Sequence, residues 1–169
     1  FARVFKNPVI NKAHRIAPTC WPFWVPRYCQ YFLKSKYDES EIVIVGYSMG
    51  TAAATYLAGE NKPKELFLVS PFKSIVDLKN RYAPFIPNFI IKYQFRNDKY
   101  FPNVSCPISV FYTKTDNVVK PASTEALLDF NDHKSVYELK NTSHRGAIFH
   151  DTFREILIQR LGMNWLMQS

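Results

Sequence analysis

A four-residue apolar run, Ile42-Val43-Ile44-Val45, follows the polar turn Tyr37-Asp38-Glu39-Ser40 and stops at Gly46. Branched side chains at every position favour extended backbone, and an unbroken rather than alternating run predicts a strand buried on both faces. Small, helix-forming residues then fill Thr51 to Ala58, closed by Gly59, and a second buried strand is predicted at Glu65 to Ser70. Strand character returns at Ile108 to Tyr112 and at Ser135 to Leu139. Between these two, Pro121 to Phe130 reads as a helix, with proline suited to its first turn. A last helix is predicted near Thr152 to Met167, where Phe153, Ile156, Leu157, Leu161 and Leu166 form one stripe. Helices set between apolar strands make βαβ units and hence a parallel sheet. The predicted class is therefore α/β: a mostly parallel sheet flanked by helices, in a single domain over residues 1–169.

The flanks of this alternation read differently. Phe1 to Phe5 fits the end of a helix broken at Pro8, and a short strand is predicted around His14 to Ala17, before Pro18. Trp21 to Pro26 reads as an aromatic loop, and Arg27 to Lys36 as a helix with Tyr28, Tyr31 and Phe32 on one side. Residues 71–102 interrupt the pattern with prolines at 71, 84, 87 and 102 and many aromatics. They are expected to form short helices over the carboxyl edge of the sheet, a lid-like insertion.

The strand-to-helix junction carries the chemistry. Gly46-Tyr47-Ser48-Met49-Gly50 is a G-x-S-x-G sequence between a predicted strand and a predicted helix, the arrangement of a nucleophile elbow. A serine hydroxyl attacks well only when a base takes its proton, and a histidine base needs a carboxylate to orient it. Asp116 follows the Ile108 to Tyr112 strand and His144 follows the Ser135 to Leu139 strand. Loops after parallel strands share the carboxyl edge of the sheet, so Ser48, Asp116 and His144 are expected to meet there. Asp77, Asp98 and His150 are rivals, but none follows a strand end so directly.

Composition narrows the partners. Lys and Arg number 22 against 14 Asp and Glu, a net charge of +8. The cations are scattered and accompany no nucleic-acid motif, so a solvated basic surface is the first expectation, nucleic acid is not an expected partner, and contact with a membrane surface is the alternative. Three cysteines, Cys20, Cys29 and Cys106, lack a C-x-x-C pair and read as reduced structural thiols. No apolar run approaches the ~20 residues of a membrane-spanning helix. Phe1 to Ile10 does not read as a signal peptide, so a cytoplasmic location is favoured, although a targeting signal could lie upstream of Phe1.

The chain resembles the α/β-hydrolase superfamily, especially its serine aminopeptidase-like and dienelactone-hydrolase-like members. The resemblance is carried by Gly46 to Thr51, by Ser70-Pro71-Phe72-Lys73-Ser74-Ile75, by Cys106-Pro107-Ile108-Ser109-Val110 leading to Asp116-Asn117-Val118-Val119, and by Thr142-Ser143-His144. It implies Ser48 as nucleophile, His144 as base, Asp116 as its orienting acid and the Met49 backbone N–H as one oxyanion donor, with no cofactor and no metal. Hydrolysis of an ester, thioester or amide is then expected, a carboxylic ester with an apolar acyl group foremost. Tyr47, Phe72, Tyr82, Phe85 and Phe89 are expected to shape the acyl pocket. Two departures stand out. No His-Gly, the family's usual source of the second oxyanion donor, precedes the elbow, and Thr113 stands where the family usually has glycine. With no starting methionine and too little chain before Asn11 to hold the family's first strands, the missing donor points to a chain truncated at its N-terminus, with an exposed sheet edge, a half-built oxyanion hole and weak activity by itself. The two departures also motivate a competing expectation, a catalytically inactive fold used for binding. A nucleotide-binding loop is excluded, because G-x-S-x-G lacks the further glycines and lysine of a phosphate cradle.

Overall fold

In the computed structural model the described residues are 2–6, 14–16, 34–91 and 95–162. Strands β1 (Ala2–Lys6), β2 (His14–Ile16), β3 (Ile42–Tyr47), β4 (Glu65–Val69), β5 (Ile108–Tyr112) and β6 (Lys134–Glu138) form one sheet in the order β2-β1-β3-β4-β5-β6. β3 to β6 are parallel, and β1 runs antiparallel to both β2 and β3. The helices are α1 (Gly50–Gly59), α2 (Ile75–Tyr82), α3 (Asn97–Tyr100), α4 (Pro121–Leu128) and α5 (Asp151–Arg160).

Parity along the strands decides which layer each residue joins. Ile42, Ile44, Leu66, Leu68, Ile108 and Val110 face one side, where Ala54, Leu57 and Ala58 of α1 and Leu127 of α4 cover them. Val43, Val45, Phe67, Val69 and Phe111 face the other, against Phe153 and Leu161 at α5. Both faces are covered, which is why β3 and β4 are apolar at consecutive positions. Phe67 and Phe111 stack at 5.9 Å between centroids, and Phe153 meets Phe111 edge-on at 5.2 Å.

Two expectations are corrected. Ala2–Lys6 is a strand, not the end of a helix: five residues are too few for a stable helix alone, and each pairs along the apolar β3. The last helix ends at Arg160 rather than continuing to Met167, because Gly162 takes φ 67° just past it, a left-handed C-terminal stop. Residues 17–33, including the predicted aromatic loop and most of the Arg27 to Lys36 helix, lie outside the described residues, as does Leu166.

Residues 71–102 pass from β4 to β5 through α2, a 3-10 turn at Asn88–Ile90, and α3. Thr124 on α4 donates to the Pro71 carbonyl at 2.6 Å, and the Ser123 hydroxyl donates to Asp77 at 2.5 Å, tying the start of this segment to α4.

Candidate active site

The elbow follows from a packing conflict at one residue. A Cβ at position 46 would lie 2.7 Å from the Ala54 Cβ and 2.8 Å from the Thr51 Cα, so only glycine lets α1 turn back so closely over β3. Ser48 takes the turn at φ 52°, a left-handed conformation costly for serine. Bonds on both sides hold it there. The Ser48 N–H donates to the Val69 carbonyl at 2.9 Å, and the Ser48 carbonyl accepts from the Thr51 N–H at 2.9 Å and the Thr51 hydroxyl at 2.7 Å. Behind Thr51, the fully buried Asn97 donates from Nδ2 to Thr51 Oγ1 at 3.0 Å and to the Phe72 carbonyl at 2.8 Å.

Three sequence-predicted residues converge. His144 Nε2 lies 3.0 Å from Ser48 Oγ, and His144 Nδ1 lies 2.7 Å from Asp116 Oδ2. Asp116 and His144 are buried, and Ser48 is half-buried. The other Asp116 oxygen accepts the N–H groups of Val118 at 2.9 Å and Val119 at 2.7 Å. Burial alone would raise this carboxyl, but the His144 hydrogen bond and the two backbone donors outweigh it and hold it below its ordinary value. An ionised Asp116 accepts from Nδ1–H, which leaves the Nε2 lone pair facing the serine hydroxyl.

The rivals are committed elsewhere. Asp77 accepts from Ser123, Asp98 pairs with Arg96 at 2.7 Å, and His150 caps α5 by accepting from the Thr152 N–H at 3.2 Å. Among the described residues no group of three His, Cys, Asp or Glu side chains is placed to hold a metal.

The expected pocket residues separate. Tyr47 donates its hydroxyl to the His144 carbonyl at 2.9 Å and sets its ring 5.3 Å from the imidazole. Burial, with Asp116 nearby, raises its phenol pKa, so the hydroxyl keeps its proton. Phe72 is fully buried with Ala52 and Val119. Tyr82 donates to the carbonyls of Asn117 and Val118, beside the acid loop, while Phe85 and Phe89 are 82% and 87% exposed.

No family model matches the chain. A curated protein of Acanthamoeba polyphaga mimivirus, whose name assigns it provisionally to the alpha/beta hydrolases, is 28% identical over 130 residues, covering 74% of this chain and 48% of its own length. Among solved structures, an alpha/beta hydrolase enzyme from a metagenome of sediments of the Mar Chica lagoon in Morocco superposes with TM-score 0.60 at 19% identity, covering 80% of this chain and 67% of its own. An acetyl xylan esterase from Paenibacillus sp. R4 gives TM-score 0.60 at 20% identity, covering 79% of this chain and 50% of its own. The chain has the α/β-hydrolase fold. It spans about half the length of the curated relative, 48%.

Thr113, where the resemblance led to an expectation of glycine, has a visible use. It is buried, and its hydroxyl contacts Thr115 Oγ1 at 3.0 Å and the Thr142 carbonyl at 3.3 Å. Thr115 donates to the same carbonyl at 2.6 Å. The two threonines thus lace the acid loop to the histidine loop, and Thr113 leaves the Asp116–His144 contact intact. Sequence reasoning missed this lacing and missed Thr51 and Asn97. Thr51 carried a signal, a hydroxyl in the first turn after the elbow, whereas nothing marked Asn97.

Proposed function

We propose that the chain is the catalytic part of a serine hydrolase that cleaves carboxylic esters with an apolar acyl group through an acyl-enzyme. The supporting observation is the continuous Ser48–His144–Asp116 hydrogen-bond line, with distances of 3.0 and 2.7 Å. Ser48 Oγ attacks the ester carbonyl as Nε2 takes its proton. The tetrahedral oxyanion forms beside the Met49 N–H. His144 returns the proton to the departing alkoxide, leaving the acyl group on Ser48. Water, deprotonated by the same imidazole, then releases the acid.

An ester is favoured because named structural neighbours include an acetyl xylan esterase and an esterase domain from Rhodothermus marinus. An apolar acyl group is favoured by Tyr82, Phe85, Phe89 and Ile90, all exposed in the segment that meets the acid loop. In this reading 71–102 acts as a lid-like insertion over the site. A fluorophosphonate probe should add one label per chain, lost entirely in Ser48→Ala, and p-nitrophenyl esters should be cleaved with a preference for longer acyl chains. Labelling that survives Ser48→Ala would overturn the reading.

A further inference from the structure

The Ser48 carbonyl and the Met49 N–H are opposite edges of one planar peptide group. Whatever fixes that carbonyl therefore aims that N–H, in direction and in rotation about the strained turn. Three groups converge on the carbonyl side. The Thr51 N–H and hydroxyl both donate to Ser48 O, at 2.9 and 2.7 Å. The lone pair of the Thr51 hydroxyl is taken by Asn97 Nδ2 at 3.0 Å, so its hydrogen is left for Ser48 O. The second Asn97 hydrogen goes to the Phe72 carbonyl at 2.8 Å, which fixes the amide's orientation, since a flipped amide would set oxygen against oxygen. Asn97 is 0% exposed, and its own Oδ1 has no partner. A residue selected for packing alone would not leave a polar atom stranded there. Both N–H hydrogens are spent on the elbow and on the exit from β4. Among the described residues the Met49 N–H donates to no protein group.

We propose that Asn97 and Thr51 are positioning residues that aim and strengthen the oxyanion donor. Donation into the carbonyl of a peptide polarises it, so the N–H on the other edge becomes a better donor. The line Asn97 Nδ2–H to Thr51 Oγ1–H to Ser48 C=O ends at the Met49 N–H, and it carries Asn97, forty-six residues away in sequence, into the transition state without touching substrate. This rests on the acyl-transfer reading of the site.

The test uses Thr51→Val, which keeps shape without the hydroxyl, Thr51→Ser, which restores it, and Asn97→Leu, which keeps the branched outline without the donors. The probes are p-nitrophenyl butyrate and an alkyl trifluoromethyl ketone, whose adduct with Ser48 carries an oxyanion. Thr51→Val and Asn97→Leu should each lower kcat about tenfold, short of the ~10²–10³-fold loss expected when an oxyanion donor is removed outright. KM should change less than about twofold, binding of the ketone should weaken by the same factor as kcat, and the double variant should be no worse than either single one. Thr51→Ser should recover most of the loss, and the Met49 amide proton should move upfield in the two damaging variants. Unchanged kcat and ketone affinity per folded molecule, or losses that track thermal stability alone, overturn the proposal. If wild-type chain neither cleaves ester nor labels at Ser48, the acyl-transfer reading fails. The Met49 amide shift then decides the geometry alone, and its failure to move in Thr51→Val and Asn97→Leu overturns the clamp as well.

Discussion

Ser48 combines a left-handed backbone at φ 52° with a hydroxyl 3.0 Å from His144, and Gly46 is the residue that permits both. Gly46→Ala places a methyl against backbone as well as side chain, since Thr51 Cα would lie at 2.8 Å. It should cost about 1–3 kcal/mol in urea unfolding, as overpacking does, and should abolish probe labelling because α1 must move away from the elbow. Asp116→Asn should leave the fold intact and lower kcat by ~10³–10⁴-fold, because a neutral amide no longer selects the tautomer with Nε2 free. The same residue sets an acid limit on stability. Its folded carboxyl ionises more readily than the ordinary value of 3.8. Its contribution is therefore complete above that value and disappears as pH falls through the depressed one. Unfolding free energies measured between pH 5 and 2 should fall more steeply for wild type than for Asp116→Asn.

Loops rather than strands carry most of what distinguishes this site. The acid loop after β5 and the histidine loop after β6 are joined by Thr113 and Thr115 through the Thr142 carbonyl, and by Asp116 itself. The elbow after β3 is joined to the histidine loop by Tyr47. Tyr47→Phe removes that donor and leaves a part-buried carbonyl unpaired. It should cost about 1 kcal/mol in urea unfolding and lower kcat/KM several-fold, with the loss in kcat, since the imidazole loses a support rather than a substrate contact. β3, β4 and β5 were legible because burial on both faces leaves an apolar run, whereas β6, with no buried residue, was read one position late. β1 was not legible, since its pattern of Phe, Ala, Arg, Val and Lys decides nothing by itself. Its pairing with β3 is a tertiary choice that satisfies backbone groups along an already apolar strand.

At the scale of the whole molecule, the sheet separates a structural end from a chemical end. Ser48, Asp116 and His144 lie beyond the carboxyl ends of β3, β5 and β6, while the core between the helical layers holds Cys106 beside Ile108. Burial pushes the Cys106 thiol up to about 11, so at pH 8 it stays protonated and shielded. Site-resolved mass spectrometry after iodoacetamide should find Cys106 unmodified in the native protein and fully alkylated in urea. Among the described residues no helix is long and apolar enough to cross a membrane.

The sequence alone determined the parallel strands, the elbow and the three residues that meet there. Each of these depends on short-range signals: a branched apolar run, a glycine forced by close packing, and an acid and a histidine just past strand ends. Tertiary structure decided how these residues are held. Tyr47 reaches His144 across 97 positions, and Thr113 reaches Thr142 across 29. Asn97 reaches Thr51 across 46. Contacts between residues so far apart leave no periodicity, because only the folding of the sheet brings their partners within hydrogen-bond range.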